Sequence, residues 1–527
     1  MLRRAAELCV LLIALVPFAA TAQPDPPYVE SPPTPTGFRA SADFEAIPTP
    51  DFVAERWTAA ASAVQEAEAW ALVPEIVARI EQPRIPDRDC LVTDHGASAD
   101  STGADDRPGI LAALDACADA GGGRVVLPPG DWLSNGPIHF RDRIALHLEA
   151  GATLRFGTDP AMYTPLVRSF WEGTELYNYS PLLYADGAQD IAITGRGVID
   201  GQTQQYWTRW KDMDAPRAER LQETAGNKPL IRQLGGDQVP IAQRIFGGGV
   251  FDVDGDGQND GDGVPRYLRP SLVQFIESER VLIEGVTLKN SPFWTVHPVL
   301  CEHVTVRGVT IRHGTTNDDG IDPENSRYVL IEDNDIHTDD DPIALKAGRD
   351  ADGRRRPSTA FVVIRNNRLR STLGGAMSIG SEMAGGVEWV FIDGNVGTNT
   401  NGRGLYLKSN LDRGGFIRHV YVRDLDLMGA ETAFEVTTDY KGWRGGQFPT
   451  AIHDLFLSDV RVWAASEHAV RLLGQDAAPI RRVRLDGLHI RGDGLTLPAP
   501  ELRAAEQILT REVVLDGTTW TPTSDDS

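Results

Sequence analysis

Apolar and polar side chains alternate in short runs that recur through the second half of the chain. RVLIEGVTL, HVTVRGVTI, YVLIEDNDI, FVVIRNNRL, WVFIDGNV, HVYVRDLDL, DLFLSDVRV and RVRLDGLHI carry the apolar anchors Ile283, Val306, Ile331, Ile364, Ile392, Val422, Leu457 and Leu485. Alternation of period two is a strand signal. The anchors are 23 to 35 residues apart with no helical pattern between them. Short strands at that repeat predict an all-β fold, a parallel β-solenoid whose coils stack at about 4.8 Å.

A second set of strands keeps the same register: IALK (343–346), MSIG (377–380), LYLK (405–408), FEVT (434–437) and VRLL (470–473). Alternation turns Ile343, Met377, Leu405, Phe434 and Val470 inward, and Ala344, Ser378, Tyr406, Glu435 and Arg471 outward. Strict parity would also turn Asp341 inward. A buried unpaired carboxylate is too costly, so a bend is expected just before Ile343, setting the carboxylates toward solvent.

The flanks read differently. Residues 1–22 have the form of a secretory signal peptide: Arg3 and Arg4, an apolar run Leu8–Val16, then Ala20-Thr21-Ala22. This predicts a secreted or periplasmic protein. Residues 23–85 form a Pro-rich lead-in followed by an Ala/Glu-rich stretch, Asp51 to Ile80, with helical spacing. The solenoid spans 86–516, opening with a strand, an amphipathic helix (Arg107–Ala120) that caps its open end, and strand Val125–Leu127. Strands continue at Ile144–Leu148 and Ile191–Ile199, and residues 517–527 read as a frayed tail. The long irregular stretch Gly201–Val264 is the expected wall of a groove, with Tyr206, Trp207 and Trp210 as sugar-stacking candidates.

Composition narrows the partners. A formal charge of −24 excludes nucleic acid and anionic membranes, and after the leader no apolar run is long enough to span a bilayer. An acidic substrate would need a local cluster of Lys or Arg. Of the cysteines outside the leader, Cys90 and Cys117 are the natural pair in an oxidising compartment, three buried thiols with Cys301 being the alternative.

The chemistry concentrates between His313 and Gly348, in Asp318-Asp319 with Asp322, and in Asp339-Asp340-Asp341. Asp319 and Asp341 are 22 residues apart, one short coil, so the two clusters meet on one face. Clustered carboxylates raise one another's pKa, and glycoside cleavage needs one protonated and one ionised carboxyl.

NDDGID (317–322), DDDPIALKAG (339–348), SIGSEMAGG (378–386) and RGLYLKSN (403–410), with NSPFWTVHPVLCEHVTVRGVTI (290–311), resemble the successive motifs of the family 28 glycoside hydrolases, the polygalacturonases and their relatives. SEMAGG is similar to the exo-acting bacterial branch. The resemblance implies a right-handed parallel β-helix and hydrolysis of α-linked galacturonide in pectic polysaccharide or its oligosaccharides. It implies inversion at the anomeric centre, and catalysis that requires no cofactor. It assigns Asp340 as general acid and Asp319 with Asp341 as the pair that holds the attacking water. Asn317, Lys408, Tyr406, Arg403, Lys346 and His297 are the candidate substrate contacts, and His313 is a further histidine able to line the groove.

Two departures stand out. The family carries a His-Gly before the IGS motif, whereas STLGGAMSIGS (371–381) has none. Polygalacturonases also carry Arg-x-Lys where this chain has Tyr406-Leu407-Lys408. Lys408 supports a uronide substrate, but a phenol does not replace a bidentate guanidinium. Arg403, Lys346 and Arg349 are candidates for the displaced cation. A hydrolase specific for rhamnogalacturonan or another uronide is one alternative. A calcium-dependent polysaccharide lyase and a non-catalytic glycan-binding β-helix are others. DVDGDGQNDGDG (252–263) places Asp252, Asp254, Asp256 and Asp260 at calcium-loop positions without the closing Glu, so it reads as a structural calcium site or a plain acidic loop.

Overall fold

The computed structural model describes residues 57–99, 103–203, 228–247, 268–441, 445–494 and 496–522. The expected leader, the Pro-rich lead-in, Tyr206, Trp207 and Trp210, and the loop carrying Asp252, Asp254, Asp256 and Asp260 lie outside them. Among the described residues no helix is long and apolar enough to cross a membrane.

The chain winds into a parallel β-helix with three stacks of strands. The first stack runs from Asp89–Leu91 to Ala505–Arg511 and contains all eight anchors. Ile283 pairs with Val306, Val306 with Ile331, and so on through Ile364, Ile392, Val422 and Leu457 to Leu485, each one coil above the last. The second stack runs from Gly130–Ser134 to Val514–Leu515. The third begins with Ile138–His139, Leu183–Asp186, Val273–Ile276 and Val296–Val299. It passes through single bridges at Ile321 and Ile343, then continues through Gly375–Gly380 and later strands in the expected register. Inward side chains from all three merge into one apolar column reaching from Val92 to Leu515.

Two local devices turn the chain at each coil. Two residues beyond each anchor the backbone is left-handed, at Gly285, Gly308, Asp333, Asn366, Gly394, Asp424, Asp459 and Gly487, with φ between 49° and 77°. Gly, Asn and Asp are the residues that tolerate this region, which is why the repeat carries them there. Next to this corner lies a ladder of buried asparagines. Asn334 donates to Asn367 Oδ1 at 2.9 Å, and Asn367 donates to Asn395 Oδ1 at 3.0 Å. Their amides also donate to Val306, Ile331 and Ile364 carbonyls, so backbone groups freed by the turn are satisfied inside the coil.

Both ends are closed. Helix Arg107–Asp119 lays Ile110, Ala113, Leu114 and Cys117 on the first coil, and Cys117 is bonded to Cys90. Cys301 is free and buried. At the other end the tail is ordered rather than frayed through residue 522. Thr518–Thr519 folds back antiparallel on Val514–Leu515, and Trp520 packs against the core.

The N-terminal extension is two helices, Ala59–Ala71 and Val73–Arg79, where spacing alone suggests one. Pro74 starts the second, because proline is tolerated in a first turn but not in an interior. The extension lies as a strap along the outside of the first stack. Trp57 and Trp70 meet Phe456 and Phe391 edge-on at 5.6 and 5.4 Å, Gln82 reaches Thr305, and the Arg84 amide donates to Asp190.

Candidate active site

The isolated bridge of Ile321 with Ile343 puts Asp319 one coil before Asp341, and Gly320 N donates to the Asp341 carbonyl at 2.9 Å. One carboxylate oxygen from each of Asp319, Asp340 and Asp341 lies within 4.8 Å of the others. The chain bends at residues 339–340, ahead of Ile343. Asp341 thereby joins the outward column and accepts from Ser378 Oγ at 2.8 Å. These carboxylates do not face open solvent, however: Asp319 and Asp341 are 3% and 1% exposed, and Asp340 is half-buried. Asp319 and Asp341 are buried outside the apolar column.

Three carboxylates this close cannot all ionise, and their partners decide which does. Burial favours the neutral form of Asp341, but Lys408 Nζ at 2.7 Å, then Lys346, then the Gly375 amide at 2.5 Å, hold it below the usual carboxylate range. Burial and the adjacent Asp341 raise Asp340. Burial and Asp340 raise Asp319 well above the ordinary value, against the opposing pull of Lys346 at 3.4 Å. These influences favour Asp341 as the anion of the cluster and shift both Asp340 and Asp319 toward the protonated form. Asp319 and Asp341, paired in the sequence reading, have unlike environments.

The other candidates divide in the same way. Asn317 donates to Asp340 Oδ2 at 3.1 Å. Lys346 lies between Asp319 and Glu382, with its ammonium 4.5 Å from the Trp294 ring. Tyr406 is half-buried beside Lys408, whose ammonium is 5.0 Å from its ring, and edge-on to Tyr440. Arg403 is not a free replacement cation, because Glu431 and Glu435 hold it at 3.2 Å each. Arg349 is likewise held by Glu172 and Glu382. His297 does not line the groove. It is wholly buried, with Nδ1 on Gln274 at 2.8 Å and Nε2 on Glu324 at 2.9 Å.

The cover over His297 is a hairpin that has no place in the repeat, Val167–Trp171 with Thr174–Asn178. It lies on the outer face of the third stack, where Ser169 and Phe170 bond Gln274. Trp171 stacks on Phe293 at 4.7 Å and Phe293 on Trp294 at 5.3 Å. Helix Lys228–Gly236, from the stretch expected to wall the groove, adds Ile231 to the same cluster. Ion pairs lock the hairpin down: Arg356 to Glu175, Arg349 to Glu172, and Arg168 to Glu175 and Glu277. Buried ion pairs add little net stability after desolvation, so what they supply is fixed geometry. The outer face of the third stack is thus covered at Gln274, one coil before His297.

The missing histidine has a steric counterpart. A Cβ on Gly374 would sit 2.4 Å from Asp341 Oδ1, and one on Gly375 would sit 2.4 Å from Ser378 Oγ. Here the backbone takes the place beside Asp341 that a side chain would need.

Residues 218–503 match the family described as Glycosyl hydrolases family 28. The chain belongs to that family. Among solved structures, the exopolygalacturonase of Thermotoga maritima is 32% identical, with a TM-score of 0.71 over 85% of this chain and 97% of that one. A probable polygalacturonase of Vitis vinifera is 28% identical over 61% of this chain, and an exo-poly-alpha-D-galacturonosidase of Dickeya chrysanthemi is 25% identical over 74%. The chain spans 56% and 65% of the lengths of these two curated relatives. Family 28 membership accounts for the β-helix and for the four motifs that meet at the aspartates.

Proposed function

We propose that this family 28 protein hydrolyses α-linked galacturonide from a chain end of pectic polysaccharide or its oligosaccharides, with inversion, after export by its leader. The observation that carries the reading is the split between neighbours: Lys408 at 2.7 Å favours Asp341 as an anion, while burial and Asp341 itself push Asp340 toward the protonated form. Asp340 gives its proton to the leaving oxygen as the glycosidic bond breaks. Asp341, with Asp319 flanking, takes a proton from the water that adds to the anomeric carbon. The reaction uses these side chains and one water.

End-wise action is supported by the hairpin 167–178, which covers the outer face of the third stack at Gln274, and by the exo-acting relatives named above. A groove blocked on one side admits a chain terminus and not a through-running chain. The test is digestion of end-labelled oligogalacturonides of defined length. Monomer as the first and only early product supports the reading, and a ladder of internal fragments overturns it. Products absorbing in the ultraviolet would mark a lyase instead.

A further inference from the structure

We infer that Asp318 is a positioning residue for the general acid: paired with His313, its carboxylate fixes the turn that carries Asp340. The inference rests on the catalytic reading above. Asp318 is 1% exposed and belongs to the coil before the turn it holds. Its Oδ1 accepts from the amides of Asp339 at 2.8 Å and Asp340 at 3.3 Å. Its Oδ2 accepts from His313 Nδ1 and from the Gly314 amide, both at 2.7 Å. One carboxylate thus ties the loop 313–314 to the next coil's catalytic turn, using both oxygens.

The neighbouring residue completes the clamp, since Asn317 donates to the Asp340 carboxyl itself. From the opposite side Ser371 Oγ and Thr338 Oγ1 each donate to the Asp340 carbonyl at 2.8 Å. Only a carboxylate suits position 318. Asparagine offers one acceptor oxygen, and its NH2 would face two N–H donors.

His313 makes this strut sensitive to pH. The hydrogen bond to Asp318 raises its pKa, against the opposing effect of partial burial, with Asp339 adding to the rise. The other groups facing it are His337 and, around that ring, Arg312 and Arg370. A raised histidine pKa means the ion pair is fully present below about 6.5. It is lost as pH rises through the higher folded value. When the cation is lost, the negative field of Asp318 at the Asp340 turn is no longer offset.

The test compares wild type, Asp318→Asn and His313→Asn on trigalacturonic acid, measuring kcat, KM, the pH profile of kcat and the melting temperature. In Asp318→Asn we expect kcat to fall about 10-fold or more with KM within about threefold, as for a misplaced catalytic group. Removing an anion near Asp340 should also move the alkaline limb to lower pH. In His313→Asn the side-chain amide takes over the donor position of Nδ1 but brings no charge, so kcat should fall less and the limb should move the other way. Opposite displacements of the limb support the inference. An unchanged limb in both variants overturns it, whether kcat is kept or falls together with the melting temperature. If Asp318→Asn does not fold, the limb of His313→Asn decides alone. Wild type inactive on every oligogalacturonide would instead overturn the catalytic reading and this inference with it.

Discussion

Lys408 Nζ lies 2.7 Å from Asp341 Oδ2, and both side chains are buried. The lysine that a uronide carboxylate would be expected to contact is therefore first the counter-ion of Asp341, the proposed base. This pairing separates two substitutions that otherwise look alike. Asp340→Asn keeps the shape and the ion pair but only one of the two bonds its carboxyl accepts, from Asn317 and from the Asp341 amide, so kcat should fall by at least about 10²-fold, the usual worth of general acid catalysis, with the melting temperature only slightly lowered. Asp341→Asn should be equally slow but also less stable, by about 3–5 kcal/mol, because Lys408 is left buried and unpaired. Activity and melting curves on the two variants check this, and equal stability would contradict it.

Stereochemistry is the point on which spacing and family part. Inverting carboxyl pairs usually stand roughly 6.5–9.5 Å apart, whereas the three aspartates here have oxygens within 4.8 Å. We still expect inversion. Lys408, the Gly375 amide and Ser378 fix the Asp341 carboxylate in place, and a carboxylate held in this way can orient a water by accepting its hydrogen bond. Proton NMR of the first product, read before mutarotation, should show the β-anomer, and an initial α-anomer would overturn the assignment.

The solenoid was legible because one physical constraint writes it. Each coil must place an apolar residue on the one below, so Ile283 through Leu485 could be aligned by eye and pair as aligned. Asp319 and Asp341 were brought together by the same arithmetic. The hairpin 167–178 was not legible, because it is an excursion from the repeat and its cover over Gln274 and His297 depends on contacts distant in the chain. That His297 is a satisfied, wholly buried histidine is fixed by those contacts and not by the repeat, and neither does the repeat show how little of Asp319 and Asp341 is exposed. Arg403 was misread because its partners, Glu431 and Glu435, come from the next coil. The asparagine ladder left a signal that went unread: Asn334, Asn367 and Asn395 each stand three residues after an anchor.

That ladder predicts a stability effect without a kinetic one. Asn367 is buried, and it accepts from Asn334 while donating to Asn395 and to the Ile331 carbonyl. Asn367→Ala removes those bonds and strands buried groups on both neighbouring coils, each costing about 1–3 kcal/mol. Destabilisation by at least about 2 kcal/mol is expected from chemical denaturation, with kcat at saturating substrate retained at a temperature where the variant is folded. A loss below about 0.5 kcal/mol would mean the ladder is not a structural element.

The last prediction concerns Tyr406, where the resemblance to polygalacturonases implies an arginine. Its ring stands one coil above Ser378 in the outward column, with Lys408 5.0 Å and Arg403 5.6 Å from the ring centroid. Both cations are already matched to protein carboxylates, Lys408 to Asp341 and Arg403 to Glu431 and Glu435. Burial pushes the phenol pKa further up, so Tyr406 is neutral at any working pH and adds no charge for a uronate. It can still stack on a sugar face or hydrogen-bond a hydroxyl. The wild type should accordingly prefer another pectic fragment over unbranched polygalacturonan. Tyr406→Arg introduces a guanidinium that can grip a carboxylate bidentately, beside Glu435 in the next coil, which Arg403 and Arg471 already share. We expect kcat/KM on polygalacturonan to rise about 10-fold or more and to fall on the preferred substrate, the worth of one charge-assisted hydrogen bond being about 1.5–3 kcal/mol. The check is kcat/KM for both proteins on homogalacturonan, rhamnogalacturonan and xylogalacturonan fragments of equal length. Polygalacturonan as the best substrate of the wild type, or no change in rank in the variant, would show that Tyr406 does not set specificity.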